Sequence, residues 1–318
     1  MSEFIPPSVS IPIKAHTESV FSEIPQEIVE NRDKGNGRKI VLGVDEAGRG
    51  PVLGPMVYGI SYCFQDYEAE LKQRYGFADS KVLKDDKRCE LFKKIVDPQE
   101  ELHKNVGWGV TVITSCDISS DMFKPSSVGG NINLNEQAHE VTISLIKAVL
   151  EMGVALDHVY VDTVGPPISY EKKLYERFRD YGYLDIKFTV TKKADSLFAI
   201  VSTASVVAKV TRDVNLRKIL GGGDTTEVIG SGYPGDPNTV KWLNNNVDHL
   251  FGYDNRLVRF SWQTTKDLLK RHGCVKVTFE DDVEIKAYVT GNNNSLDSYS
   301  FGVQKEKKSV VSSKWFVE

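Results

Sequence analysis

The chain carries the stretch Val41-Leu-Gly-Val-Asp-Glu-Ala-Gly-Arg-Gly-Pro51, in which an apolar run gives way to two acids and a glycine-rich loop. Residues 39–44 are apolar and β-prone over a short length, which predicts a buried strand. Asp45 and Glu46 come where that strand ends, and Gly48-Arg-Gly-Pro51 then breaks it. The acids supply hard oxygen ligands, and the glycines leave backbone N–H groups accessible. The arginine adds a planar cationic group with several fixed donors. This order of residues indicates a metal held against a phosphate backbone.

The same pattern of an apolar strand ending in an acid recurs later in the chain. Residues 157–161 predict a strand that runs into Asp162 and a loop rich in glycine and proline. Acids at the carboxyl ends of neighbouring strands of an α/β sheet meet in one crevice. Asp195 follows a further predicted strand, 185–191, and suits the N-cap of a helix predicted for 196–220. An Asp in that position can cap a helix and also face a metal.

The composition is that of an ordinary globular protein, with 318 residues, 40% hydrophobic content and a net charge of −4. This balance does not indicate a nucleic-acid binder, but residues 170–218 carry eleven Lys or Arg and six Asp or Glu. The local excess of five positive charges predicts a basic face. Four scattered cysteines predict free thiols in a reducing compartment. Without a membrane-spanning run or signal-peptide pattern, we expect a protein of the cytosol or nucleus.

The motif Val44-Asp-Glu-Ala-Gly-Arg-Gly50 resembles the signature of type 2 ribonuclease H, enzymes that cut RNA strands paired to DNA. Other motifs that resemble those of this family follow in order, and the resemblance covers roughly residues 38–272. They are Asp79-Ser-Lys-Val-Leu83, Asn133-Leu-Asn135, Lys192-Lys-Ala-Asp-Ser196 running into Ala204–Asp213, and Gly230–Pro237. The N-terminal arm, an insert around residues 121–130 and the long tail are similar to the eukaryotic catalytic subunit.

The resemblance implies a ribonuclease H-like α/β fold, with a mixed five-stranded sheet flanked by helices and a C-terminal helical extension. It divides the chain into an N-terminal extension (1–37), a catalytic domain (38–272) and a C-terminal tail (273–318). The extension is expected to be ordered only where it docks on the domain. The tail is expected to bind partner proteins.

The resemblance also assigns roles to individual residues. It implies that four acids hold two divalent cations, Mg²⁺ or Mn²⁺, and perform the catalysis: Asp45, Glu46, Asp162 and Asp195. It implies that the Gly-Arg-Gly loop meets the 2′-hydroxyl of the RNA and that a loop tyrosine stacks on a sugar at the RNA–DNA junction. The substrate-binding residues expected on this basis are Gly48, Arg49, Gly50, Lys81, Tyr233, Lys209 and Arg212.

The implied activity is hydrolysis of the RNA strand of RNA–DNA hybrids and incision 5′ of ribonucleotides embedded in duplex DNA. The products would carry a 3′-hydroxyl and a 5′-phosphate. Eukaryotic members of the family work in a heterotrimer with two non-catalytic subunits. The expected location is the nucleus, with the cytoplasm as the alternative. Two other classes stay open: a different metal-dependent nuclease or phosphotransferase that uses the same acids, and a non-catalytic scaffold. Four intact oxygen ligands weigh against the scaffold.

Overall fold

A mixed six-stranded sheet forms the centre of the computed structural model, which describes residues 4–31, 37–77, 83–125, 129–221 and 229–275. The strands are β1 (Glu18–Phe21), β2 (Ile40–Ala47), β3 (Met56–Phe64), β4 (Gly107–Ile113), β5 (His158–Asp162) and β6 (Lys187–Thr191). Their order across the sheet is β1-β4-β3-β2-β5-β6. Strand β2 runs antiparallel to β3 and parallel to β5, so the β2–β5 pair carries its carboxyl ends at the same edge.

The expected mixed α/β sheet is confirmed, but it has six strands where five were predicted. The additional strand, β1, comes from the N-terminal extension and pairs antiparallel with the edge strand β4, from Glu18 opposite Val112 to Phe21 opposite Gly109. Its four residues are too few to show a clear alternation, so the sequence pattern predicted no strand there. Pairing with the edge of β4 stabilises this conformation, because tertiary contacts override a weak local preference.

Helices cover both faces of the sheet. They are α1 (Gln26–Asn31), α2 (Glu68–Gln73), α3 (Asp85–Val96), α4 (Glu101–Asn105), α5 (Ser115–Phe123), α6 (Leu134–Glu151), α7 (Pro167–Asp180), α8 (Ala194–Leu197), α9 (Ala199–Ile219), α10 (Pro237–Asn245) and α11 (Gln263–Arg271). Helices α2, α3 and α9 enclose one core, and α6 and α7 enclose a second core on the opposite face. The C-terminal helices α10 and α11 form a third core with the loop after β2. Within the described residues, none of the helices combines the length and apolar character needed to cross a bilayer.

Helix α9 lies unusually close to the sheet at two glycines. A Cβ atom on Gly43 would come within 2.6 Å of the backbone of Ile200 and Val201. A Cβ atom on Gly59 would come within 2.6 Å of the carbonyl oxygen of Ala204. Only glycine permits this approach. The backbone of α9 therefore rests directly on β2 and β3, which fixes the side chains of α9 relative to the acid at the end of β2.

Candidate active site

The acids predicted at the strand ends lie together at the carboxyl edge of the sheet. The register pairs Val44 with Val161, so Asp45 and Asp162, the next residues in each strand, lie side by side on β2 and β5. Asp45 and Glu46 are successive strand residues, and their side chains therefore leave opposite faces of the sheet. Asp45 faces α9, where the Ser205 hydroxyl hydrogen-bonds its carboxylate. Glu46 and Asp162 both line a cleft between the sheet edge and helices α6 and α7.

Burial and repulsion between neighbouring carboxylates set the electrostatics of this edge. Burial is the main cause that raises the pKa of Asp45 well above its usual range, and the charges of Glu46 and Asp162 raise it further. The Ser205 hydroxyl and the backbone N–H of Glu46, 2.7 Å from Asp45 Oδ1, act in the opposite direction. Carboxylates that converge in this way cost free energy unless a proton or a cation lies among them.

Asp195 lies inside the short helix α8, and the predicted N-cap position of one long helix is wrong. Lys193 takes the left-handed conformation (φ 59°, ψ 37°) and begins α8 one residue before Ala194. Phe198 is extended and separates α8 from α9, so the predicted helix is broken. The backbone N–H of Ala194 donates to Asp162 Oδ1 at 2.9 Å. The backbone beside the buried Asp195 is therefore tied to the acid at the end of β5.

The chemistry of these residues fits divalent cations. All four predicted ligands are carboxylates, the hard oxygen donors that Mg²⁺ and Mn²⁺ prefer. Burial and, after it, the charges of Glu46 and Asp162 raise the pKa of Asp45, and bound cations would neutralise this excess of negative charge. No three His, Cys, Asp or Glu side chains in the described parts of the chain are close enough to enclose an ion as they stand. The structure nevertheless brings Glu46 and Asp162 near enough for their charges to act on Asp45, and it ties the backbone of Ala194, next to Asp195, to Asp162.

The Gly-Arg-Gly loop follows β2 and borders the acids. Gly48 has φ +77°, and a Cβ atom there would come within 2.6 Å of the carbonyl oxygen of Pro55, so this position requires glycine. The guanidinium of Arg49 donates to the Tyr58 hydroxyl at 3.2 Å and to the side-chain oxygen of Asn135 at the start of α6. Arg49 therefore crosses the cleft that Glu46 and Asp162 line.

Arg259 anchors the loop and was not predicted from the sequence. Its guanidinium is fully buried and donates to three carbonyl oxygens, of Gly54 at 2.9 Å, Arg49 at 2.9 Å and Gly48 at 2.5 Å. It also lies over the Trp262 ring, 4.7 Å from the centroid, and the indole N–H donates to the carbonyl oxygen of Gly50 at 3.1 Å. Burial, followed by the charge of Arg212, lowers the pKa of Arg259 to about 9, so it remains cationic at neutral pH.

The remaining predicted substrate residues occupy different environments. Tyr233 is 51% exposed, and a Cβ atom on Gly50 would come within 3.0 Å of its ring. Lys209 lines a second cleft with Tyr233 and pairs with Asp213 at 3.2 Å. Arg212 is buried, and it donates to the carbonyl oxygen of Leu53 at 3.2 Å and pairs with the same aspartate at 3.0 Å. It therefore supports the loop after Gly-Arg-Gly through these contacts. The roles of these three residues toward substrate stay predictions.

Lys81, the expected phosphate contact of the second motif, lies outside the described residues. On the far wall of the first cleft, His139 of α6 stacks on Tyr170 of α7, with ring centroids 3.8 Å apart and an interplanar angle of 18°. Burial, together with the charges of Lys173 and Arg49, lowers the pKa of His139 to about 4. The ring is therefore neutral at neutral pH and forms a packed wall of the cleft.

Comparison with known proteins extends the likeness beyond these motifs. The family model for Ribonuclease HII matches residues 42–265, which is more than half of the chain. The chain is 43% identical over 313 residues to a protein of Schizosaccharomyces pombe named as one of the subunits of Ribonuclease H2, covering 98% of this chain and 88% of that protein. It is 45% identical over 282 residues to the protein of the same name from Arabidopsis thaliana, covering 86% and 88%.

Among solved structures, the fold is similar to that of the ribonuclease H2 from Pyrococcus horikoshii OT3. The TM-score is 0.58 at 29% identity, and the match covers 73% of this chain and 98% of that one. The sequence matches, the fold and the acids beside a Gly-Arg-Gly loop all indicate the same family. The chain belongs to the ribonuclease HII family of metal-dependent endoribonucleases that act on RNA–DNA hybrids.

Proposed function

We propose that this chain hydrolyses the RNA strand of RNA–DNA hybrids and also incises duplex DNA on the 5′ side of an embedded ribonucleotide. The observation that carries the proposal is the convergence of Asp45, Glu46 and Asp162 beside a Gly-Arg-Gly loop that Arg259 holds in place. In this proposal the carboxylates provide the metal ligands, and the loop contacts the sugar–phosphate backbone that reaches them.

Two divalent cations, Mg²⁺ or Mn²⁺, would be held by Asp45, Glu46, Asp162 and Asp195. When bound, such a pair activates a water and stabilises the departing oxygen, which accounts for products with a 5′-phosphate and a 3′-hydroxyl. The protein contributes the positions of the ligands. Ser205 orients the Asp45 carboxylate, and the N–H of Ala194 orients that of Asp162.

Selection for RNA depends on the 2′-hydroxyl, the group that DNA lacks. Arg259 holds the carbonyls of Gly48 and Arg49 inward. Because a trans peptide directs its N–H opposite to its carbonyl, the N–H groups of Arg49 and Gly50 are turned away from Arg259. Donors fixed in this way are suited to a hydroxyl oxygen on the substrate. Tyr233, half exposed beside Gly50, is suited to stacking on the neighbouring sugar.

A substitution at Tyr233 tests this division of roles. Tyr233→Ala is expected to reduce cleavage at a single embedded ribonucleotide more than cleavage of a long hybrid, since only the former presents an RNA–DNA junction at a fixed place. Both substrates are compared by single-turnover rates. An equal loss on the two substrates would exclude junction sensing by this tyrosine.

The cellular setting completes the proposal. The relatives that match most of the chain carry names that make them subunits of Ribonuclease H2, which supports a role as the catalytic member of a complex. We propose two non-catalytic partner subunits, a partner-binding role for residues 273–318 after the catalytic domain, and action in the nucleus during DNA replication and ribonucleotide excision repair.

The deciding experiment measures cleavage of a DNA duplex that contains one embedded ribonucleotide, in buffer with magnesium or manganese. The full chain is assayed alone and with its partner subunits. A cut 5′ of the ribonucleotide that Asp45→Ala abolishes supports the proposal. Cleavage of all-DNA duplex or single-stranded RNA at the same rate would indicate another class of nuclease, and binding without any cut would indicate a scaffold.

A further inference from the structure

Lys193 occupies a strained backbone position next to the acids. Among the described residues it is the one non-glycine residue with a positive φ, at 59°. The left-handed conformation is unfavourable for a side chain with a Cβ atom, and glycine would adopt it without that cost. Strained residues of this kind cluster at functional sites, so the presence of lysine calls for a reason beyond the turn itself.

The conformation has a clear structural role, but the side chain does not. The turn at Lys193 begins α8, so that the N–H of Ala194 meets Asp162 and Asp195 is buried. The carbonyl of Lys193 accepts from the N–H of Ser196 at 3.1 Å. The side chain of Lys193 is exposed, and no carboxylate or other acceptor in the described part of the chain contacts its ammonium group. Glycine or asparagine would therefore form the same turn, so the turn itself does not require the ammonium group of Lys193.

We propose that Lys193 binds a phosphate of the nucleic-acid substrate at the rim of the active site. The inference rests on the proposed function, because it assigns a further contact to the same substrate. Lys193 is exposed, lies two residues before Asp195 in the chain and directly precedes Ala194, whose N–H meets Asp162. A duplex that delivers its scissile phosphate to those acids carries neighbouring phosphates along the same rim. A lysine suits this contact because its long stem and point charge tolerate variation in the phosphate position.

Three substitutions separate the charge of Lys193 from its backbone conformation. Lys193→Gly removes the charge and the strain, whereas Lys193→Asn removes the charge with a residue that tolerates the left-handed region. Lys193→Arg keeps both the charge and the strain. The matched control is Lys187→Asn, which removes one exposed positive charge at the opposite end of β6.

Binding is measured by fluorescence anisotropy with the full chain in its complex, in EDTA so that no cleavage occurs. The probes are an RNA–DNA hybrid and a DNA duplex of the same sequence, over a series of salt concentrations. Loss of one phosphate contact is expected to weaken binding about eightfold at about 0.1 M salt, because each contact contributes a salt slope near −0.9. The Gly and Asn variants should show this loss with a slope smaller by about one. The Arg variant and Lys187→Asn should bind like wild type.

Melting temperatures complete the test. The Gly and Asn variants are expected to melt at or above the wild-type temperature, since neither needs the strained conformation of lysine. Wild-type affinity and salt slope in both variants would overturn the proposal and leave Lys193 with its turn alone. If the wild-type complex binds but cuts no substrate with magnesium or manganese, the proposed function fails, while the salt slopes still decide whether Lys193 contacts phosphate.

Discussion

Replacing Arg259 with methionine removes the anchor of the Gly-Arg-Gly loop while keeping an unbranched side chain that fills part of the same space. Three hydrogen bonds from a charged donor are lost, each worth about 1.5–3 kcal/mol, and three carbonyls are left buried. Part of this loss is recovered, because the methionine variant no longer pays the desolvation cost of a buried cation. Burial is also the main cause that lowers the pKa of Arg259 to about 9. We expect a net decrease of about 2–4 kcal/mol in the free energy of unfolding. For a domain of this size the melting temperature should fall by about 5–15 °C.

The effect on catalysis should exceed the effect on stability. Without Arg259, the carbonyls of Gly48 and Arg49 are free to turn, and the loop no longer presents its N–H groups in one direction. A displacement of about 1 Å in a substrate-positioning group can cost about 100-fold in rate, and we expect a loss of this order. Cleavage of an RNA–DNA hybrid is measured at a temperature where urea titration shows the variant to be folded.

The matched control is Arg256→Met, the same change three residues away. Arg256 is 63% exposed and pairs with Asp254 at 2.7 Å, and an exposed pair of this kind contributes less than about 1 kcal/mol. If Arg259→Met and Arg256→Met unfold at the same urea concentration and cleave at the same rate, the three buried hydrogen bonds do not position the loop, and the reasoning fails.

Three further predictions follow from other contacts. Asp45→Asn is expected to lower the rate of cleavage at least about 1,000-fold. In EDTA its melting temperature should be no lower than that of wild type, because burial and neighbouring carboxylates raise the pKa of Asp45 and make its charge unfavourable. A large drop in melting temperature would contradict this. His139 has a pKa of about 4 in the folded chain and an ordinary value of 6.5, so stability should fall as pH decreases from about 6.5 to 4. After allowance for the partly exposed ring, the loss is about 1 kcal/mol and should disappear in His139→Phe, as measured by urea titration at each pH. Gly43→Ala should cost about 2–3 kcal/mol because its Cβ would lie 2.6 Å from the backbone of α9, whereas Gly235→Ala, with open space around it, should be near neutral in the same titration.

The strand-end acids were predictable because their signal is local. An apolar run followed by an acid and a glycine-rich loop indicates both the carboxyl end of a strand and its chemistry, although β2 continues past Asp45 to Ala47. The adjacency of Asp45 and Asp162 followed from the rule that parallel strands share a carboxyl edge, and the β2–β5 register confirms it. The sequence did not predict which helices each acid would face: Asp45 faces α9, whereas Glu46 lines the cleft beside α6 and α7.

Arg259 and the break at Phe198 were out of reach for a different reason. The carbonyls that Arg259 holds lie 205 to 211 residues earlier in the chain, and no local pattern reports such a partner. A charged residue between Val258 and Phe260 was the available signal. Residues 196–220 look helical throughout, and the sequence gives no sign that an extended Phe198 separates α9 from a short helix whose first N–H meets Asp162.

The pairing of β1 with β4 has a consequence for how the protein behaves at high concentration. Without residues 1–24, β4 would become the edge of the sheet and expose a row of unpaired N–H and C=O groups. Open edges of this kind pair with other chains and promote aggregation. The N-terminal segment thus acts as a built-in cover against self-association, and a truncated chain should precipitate or oligomerise even though its catalytic acids are intact. At the other edge, β6 begins with the exposed Lys187, a charge that opposes the same kind of pairing.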